Sequence, residues 1–91
     1  MQILITNAAE AEMPEEMQEN CQTLLLRRIN HLFPDSFPKE GESLTILYSE
    51  KDPLLQSEEV DDTAYFIYFD VEKVENGENR AGASVWVRIC L

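Results

Sequence analysis

The spacing of apolar positions switches between two periods along the chain, and each switch marks the edge of an element. Met1–Thr6 (MQILIT) is a short apolar run with β-branched residues and reads as a first strand. Asn7–Met13 is small and acidic, a linker. From Pro14 the period becomes helical: Met17, Cys21, Leu24, Leu25, Ile29 and Leu32 form one stripe, ended by Phe33-Pro34. Pro14 suits the first turn, where its missing N–H costs nothing. Glu15, Glu16 and Glu19 complement the positive end of the helix dipole, and Arg27 and Arg28 the negative end.

Asp35–Glu42 reads as loop, broken by Pro38 and Gly41. In Ser43–Ser49 the apolar residues Leu44, Ile46 and Tyr48 alternate with Ser43, Thr45 and Leu47, the pattern of a strand with one buried face. Glu50–Asp62 is the longest irregular stretch. Thr63–Val71 and Ala83–Leu91 carry the strongest strand patterns, and Asn76-Gly77 between them fits a two-residue type I′ hairpin turn. The order β-α-β-β-β predicts an α+β fold: one helix packed on a four-stranded antiparallel or mixed sheet, in a single domain spanning 1–91.

A two-residue turn also fixes a register. Glu75 would face Glu78, and Phe66 and Tyr68 would share a face with Val85 and Val87. Tyr65, Ile67 and Phe69 would then lie on the opposite face with Ser84, Trp86 and Arg88. One helix covers one face only. The residues Tyr65, Ile67, Phe69 and Trp86 are therefore expected either to form an apolar interface, a homodimer contact included, or to be covered by the Glu50–Asp62 loop through Leu54, Leu55 and Val60.

Charge narrows the range of functions. Eighteen acidic residues against seven basic ones give a net charge of −11 over 91 residues. Such a surface argues against direct binding of nucleic acid or of an anionic membrane. It permits plain solubility, a basic or DNA-binding protein partner, or mimicry of a nucleic-acid backbone. The acids fall in two runs, one before the first basic residue and one in Glu50–Asp62. The candidate contacts for a basic partner are Glu10, Glu12, Glu15, Glu16, Glu19, Glu58, Glu59, Asp61 and Asp62. Were the two runs to converge, they would steer such a partner; dispersed, they are solvated surface.

Chemistry has little to work with. His31 is the sole histidine, and Cys21 lies too far along the same helix to pair with it. Cys21 and Cys90 both read as buried thiols. No metal site, cofactor-binding loop or catalytic set is identifiable, and the chain is expected not to be an enzyme. Without a cationic leader followed by an apolar stretch, it is expected to be cytoplasmic. No apolar run approaches the ~20 residues of a membrane span.

The first 35 residues resemble the DinI-like family of small proteins that modulate the RecA filament in the SOS response. The likeness rests on Met1, Ile3 and Thr6, on Pro14 opening the helix, and on Arg27, Arg28, Ile29, Phe33, Pro34 and Asp35; it extends more loosely to Tyr48. It implies Ile3, Ile29 and Phe33 as core and Pro34 as helix stop. It also implies an acidic modulator of RecA or another DNA-transacting protein. The family closes with a second, acidic helix that contacts RecA, whereas here TAYFIYFDV and ASVWVRICL read as strands. Two other functions fit the composition: a phage or mobile-element inhibitor (a DNA-mimic anti-defence or toxin-immunity protein) and a dimeric structural module.

Overall fold

Pro14 starts the helix in extended backbone, with Glu15 and Glu16 in its first turn, and the computed structural model runs it as α1 from Glu15 to Leu32. The structure describes residues 1–54 and 62–91. The other elements among the described residues are β1 (Gln2–Ile5), β2 (Ser43–Ser49), β3 (Ala64–Glu75) and β4 (Ser84–Ile89), with a 3-10 turn over Arg80–Gly82. The order β-α-β-β-β and the α+β class are as predicted. The sheet is mixed and four-stranded, β1-β4-β3-β2, with β1 parallel to β4 and the other pairs antiparallel.

Cys21, Leu25 and Ile29 of α1 are fully buried, and they press on one sheet face made by Ile3, Leu44, Ile46, Tyr48, Ile67, Phe69, Val71, Val85, Val87 and Ile89. Phe33 packs at the margin of this core, and the Phe33 amide closes α1 on the Ile29 carbonyl at 2.8 Å. The helical stripe stops short of its expected end, for Leu32 is exposed. β4 enters last yet sits in the middle of the sheet. Its Val85 and Val87 are β-branched and fully buried, as a central strand requires.

The last hairpin departs from the expectation. Glu75 pairs with Ser84, not with Glu78, so residues 76–83 form the connection instead of a two-residue turn. Gly77 is used for close approach: a Cβ there would lie 2.6 Å from the Gly82 carbonyl carbon. Asn79 caps the 3-10 turn through a 3.0 Å bond from the Gly82 amide. Arg80 then anchors the loop, donating to the Asn30 side chain and to the Ser36 carbonyl and lying over the Phe37 ring.

The longer loop adds an even number of residues and keeps the face assignment, but a register shift between Val71 and Lys73 reverses it for the rest of β3. Ile67, Phe69 and Val71 look toward the helix with Val85 and Val87, so Ile67 and Phe69 are core and not interface. Tyr65 lies on their side at the strand end, and Trp86 points to the opposite, open face, so the four residues do not form one patch. A residue slipped into a strand moves every later side chain to the other face. Cys90 also corrects its expectation, being exposed while Cys21 is buried.

Candidate functional site

The helix runs antiparallel to β2, so the acidic first turn and the basic later turns of α1 fall at opposite ends of that strand. At one end the start of α1 meets the end of β2. Pro14, Glu16, Met17 and Asn20 line a groove there with Tyr48, Glu50 and Lys51. Glu50 is held by the Tyr65 phenol, which donates to its carboxylate at 2.8 Å. Burial first, and then this bond to an anion, push the Tyr65 hydroxyl up to about 12. One member of each acidic run, Glu16 and Glu50, thus lines the same groove. Glu15 is exposed in the same helical turn, and Glu19 lines a shallower hollow with Met1, Gln2 and Ile3.

The other acidic candidates disperse. Glu10 faces Arg88 across 3.6 Å, a surface pair of small worth. Glu12 occupies the turn between β1 and α1 with φ at 54°. Asp62 is exposed, and Glu58, Glu59 and Asp61, like Leu55 and Val60, lie outside the described residues.

At the opposite end a groove of about 450 Å³ runs between α1 and β2, lined by Leu24, Arg27, Arg28, His31, Thr45, Ile46, Leu47 and Phe66. Arg27 donates to the Leu54 carbonyl at 3.0 Å. Among the described residues Arg28 and His31 form neither ion pairs nor hydrogen bonds, and both are exposed. Two of the seven basic residues and the sole histidine therefore crowd one groove of an acidic protein.

This groove opens onto a patch on the uncovered sheet face, where Leu47, Phe66 and Tyr68 are 41%, 61% and 52% exposed. Leu47 pairs with Phe66, and Thr45 with Tyr68, so the three apolar groups adjoin. Farther along the same face Lys73 sits 5.0 Å above the Trp86 ring and Glu72 accepts from the Thr6 hydroxyl. The sequence alone places Phe66 and Tyr68 on one face with Val85 and Val87, and offers Arg27 and Arg28 only as dipole partners of the helix. Strand order was the missing information, since it decides that β2 is an edge next to those arginines.

Burial pushes the Cys21 thiol up to about 11 and away from the thiolate. Among the described residues, no cluster of three His, Cys, Asp or Glu could hold a metal ion, and no helix is long and apolar enough to cross a membrane. Fold and surface together define a small α+β protein with an exposed apolar patch on one sheet face and a groove at either end of β2. Comparison with protein-family models, with curated proteins and with solved structures gives no match.

Proposed function

We propose that the protein is a non-enzymatic, cytoplasmic binding module, an acidic modulator that docks a basic or DNA-binding protein. The observation that carries this reading is that one carboxylate from each acidic run, Glu16 and Glu50, lines a common groove, with Lys51 beside them. Glu15 and Asp52 are exposed nearby in the chain, and the net charge of −11 adds a long-range field of the same sign. Such a field speeds encounter with a cationic partner and weakens as salt rises. The Met17 and Tyr48 side chains supply an apolar floor between the carboxylates.

The likeness of the first 35 residues to DinI-like proteins makes the RecA filament the partner to test. Co-sedimentation with RecA on single-stranded DNA, at low and at raised salt, is the experiment. Binding at low salt that fades with salt and is lost in Glu16→Lys/Glu50→Lys supports the reading. Absence of the protein from the pellet at low salt, or indifference to the double charge reversal, rejects it.

A further inference from the structure

Of the two sheet edges, one is guarded and the other, among the described residues, is not. β1 has only four residues, and Gln22 of α1 reaches over it to donate to the Ile3 carbonyl at 3.0 Å. β2 has seven residues and no such cover among the described ones. Its ladder can be followed from the bulge at its start. The Gly41 amide donates to the Val71 carbonyl and the Val71 amide to the Glu42 carbonyl, each at 2.8 Å, with Gly41 at φ 89°. From there an antiparallel ladder turns alternate residues inward and outward. The Tyr68 carbonyl accepts from the Cys90 amide and so faces β4, which leaves Thr45 opposite it with its own N–H and C=O turned outward. By the same alternation Ser43 and Leu47 turn theirs outward, away from β3. Long, unpaired edges of this kind are templates for another strand.

We propose that the outer edge of β2 takes an extended acidic segment of a partner protein as a fifth strand, with Arg27, Arg28 and His31 receiving its carboxylates. Main-chain bonds to Ser43, Thr45 and Leu47 give affinity, and the two sides of the added strand give specificity. Its residues alternate between the helix side and the open side. Those on the helix side enter the groove beside the two guanidinium groups, which suits aspartate or glutamate. Those on the open side meet Leu47 and Phe66, which suits a branched apolar residue. The segment sought therefore alternates acidic and apolar positions.

A second copy of this chain is the wrong occupant on charge. Two-fold pairing of β2 about Ile46 would bring both copies' Arg27, Arg28 and His31 together, because these line the groove at Thr45–Leu47, mid-strand. The same pairing sets Glu50 toward Glu42 of the other copy, in chains that each carry −11. This inference is independent of the acidic end, and its probe is a peptide and not RecA, so either can fail alone.

The test is fluorescence anisotropy of the full chain with a labelled peptide alternating aspartate and isoleucine over the length of β2, against its lysine–isoleucine counterpart. Only the aspartate peptide is expected to bind. Arg28→Glu, an exposed change, is expected to weaken it about tenfold. Thr45→Pro removes one outward N–H, a position where an edge strand tolerates proline, and is expected to abolish binding. Should Thr45→Pro fail to fold by circular dichroism, Arg28→Glu decides. No binding of the aspartate peptide, equal binding of both peptides, or binding unchanged by the folded variants overturns the proposal. So does a concentration-dependent dimer in sedimentation that Thr45→Pro dissolves, which would give the edge to a second copy.

Discussion

Asn7 and Ile89 exchange a pair of hydrogen bonds, the Asn7 amide donating to the Ile89 carbonyl at 3.0 Å and the Ile89 N–H donating back to the Asn7 side-chain oxygen at 2.9 Å. The backbone pairing of β1 with β4 ends with the Thr6 amide on the Val87 carbonyl. One residue on, a buried side chain imitates the next strand partner. Asn7→Ala leaves a donor and an acceptor of a buried strand unmatched and is expected to cost about 2–3 kcal/mol. Asn7→Asp should fare no better near neutral pH, because a carboxylate cannot donate to the Ile89 carbonyl. Urea unfolding of the three proteins checks this, and equal midpoints would show that the pair carries no weight.

Glu12 and Gly41 both adopt positive φ, at 54° and 89°, and the outcomes expected for them are opposite in sign. Glu12 ends a single turn whose amides close back as in a Schellman motif, Glu12 N–H on the Ala9 carbonyl and Met13 N–H on the Ala8 carbonyl. That position suits glycine, so Glu12→Gly should stabilise by about 0.5–1 kcal/mol. Gly41 supplies the bulge that starts β2, and a Cβ there would meet nothing within 4 Å. Gly41→Ala should therefore cost about 1 kcal/mol through the backbone alone. Thermal melts of both variants, shifted in the same direction, would refute this account.

The two thiols differ by environment. Cys90 is exposed and should react first with an alkylating reagent, and Cys21 only as the protein unfolds. Cys21 sits at about 11 in the folded chain against 9.0 as a free thiol. Below pH 9 both states hold the proton and its contribution is intact. Between pH 9 and 11 the unfolded thiol ionises while the folded one does not, so stability falls, by an amount on the order of 2–3 kcal/mol. The Tyr65 hydroxyl, raised from 10.0 to about 12, adds loss of the same sign between those values. Unfolding free energies measured across this alkaline range should decline less steeply in Cys21→Ala, and an unchanged slope would count against the assignment.

Elements with strong one-dimensional signals were readable from the chain. β2 shows a clean alternation of Leu44, Ile46 and Tyr48, and α1 a stripe with an acidic start and a Phe-Pro stop; both were placed within a residue or so. The insertion of β4 between β1 and β3 has no local signature, since pairing order depends on contacts across the whole chain. The last connection misled because glycine serves two purposes. Gly77 was read as a residue needing positive φ, whereas its hydrogen side chain allows the Gly82 backbone to approach. The reversed faces of β3, and with them the wrong apolar surface, come instead from the bulge between Val71 and Lys73, which has no local signature in the sequence. The acidic groove is only half legible: the sequence offers Glu15 and Glu16 both as a helix start and as contacts for a basic partner, while Glu50 joins Glu16 through the antiparallel run of α1 over β2.

The strand register can be tested by two adjacent residues. Ile67 is 5% exposed and packs beneath α1, whereas Phe66, one residue earlier, is 61% exposed on the open face. Truncating Ile67 to alanine removes buried methyl and methylene groups from a filled core and should cost about 2–4 kcal/mol. Phe66→Ala removes a larger side chain, yet most of that side chain already meets water, and the cost should stay within about 1 kcal/mol. Had β3 paired with β4 without the shift between Val71 and Lys73, the order would reverse, with Phe66 in the core. Size alone also favours the reverse order, because phenylalanine loses more on truncation than isoleucine when both are buried. Chemical denaturation of the two variants therefore separates the register from its alternative without a further structure. Near-native stability in Phe66→Ala would also leave that variant fit for peptide anisotropy, where its loss from the open-face patch should weaken the aspartate–isoleucine probe.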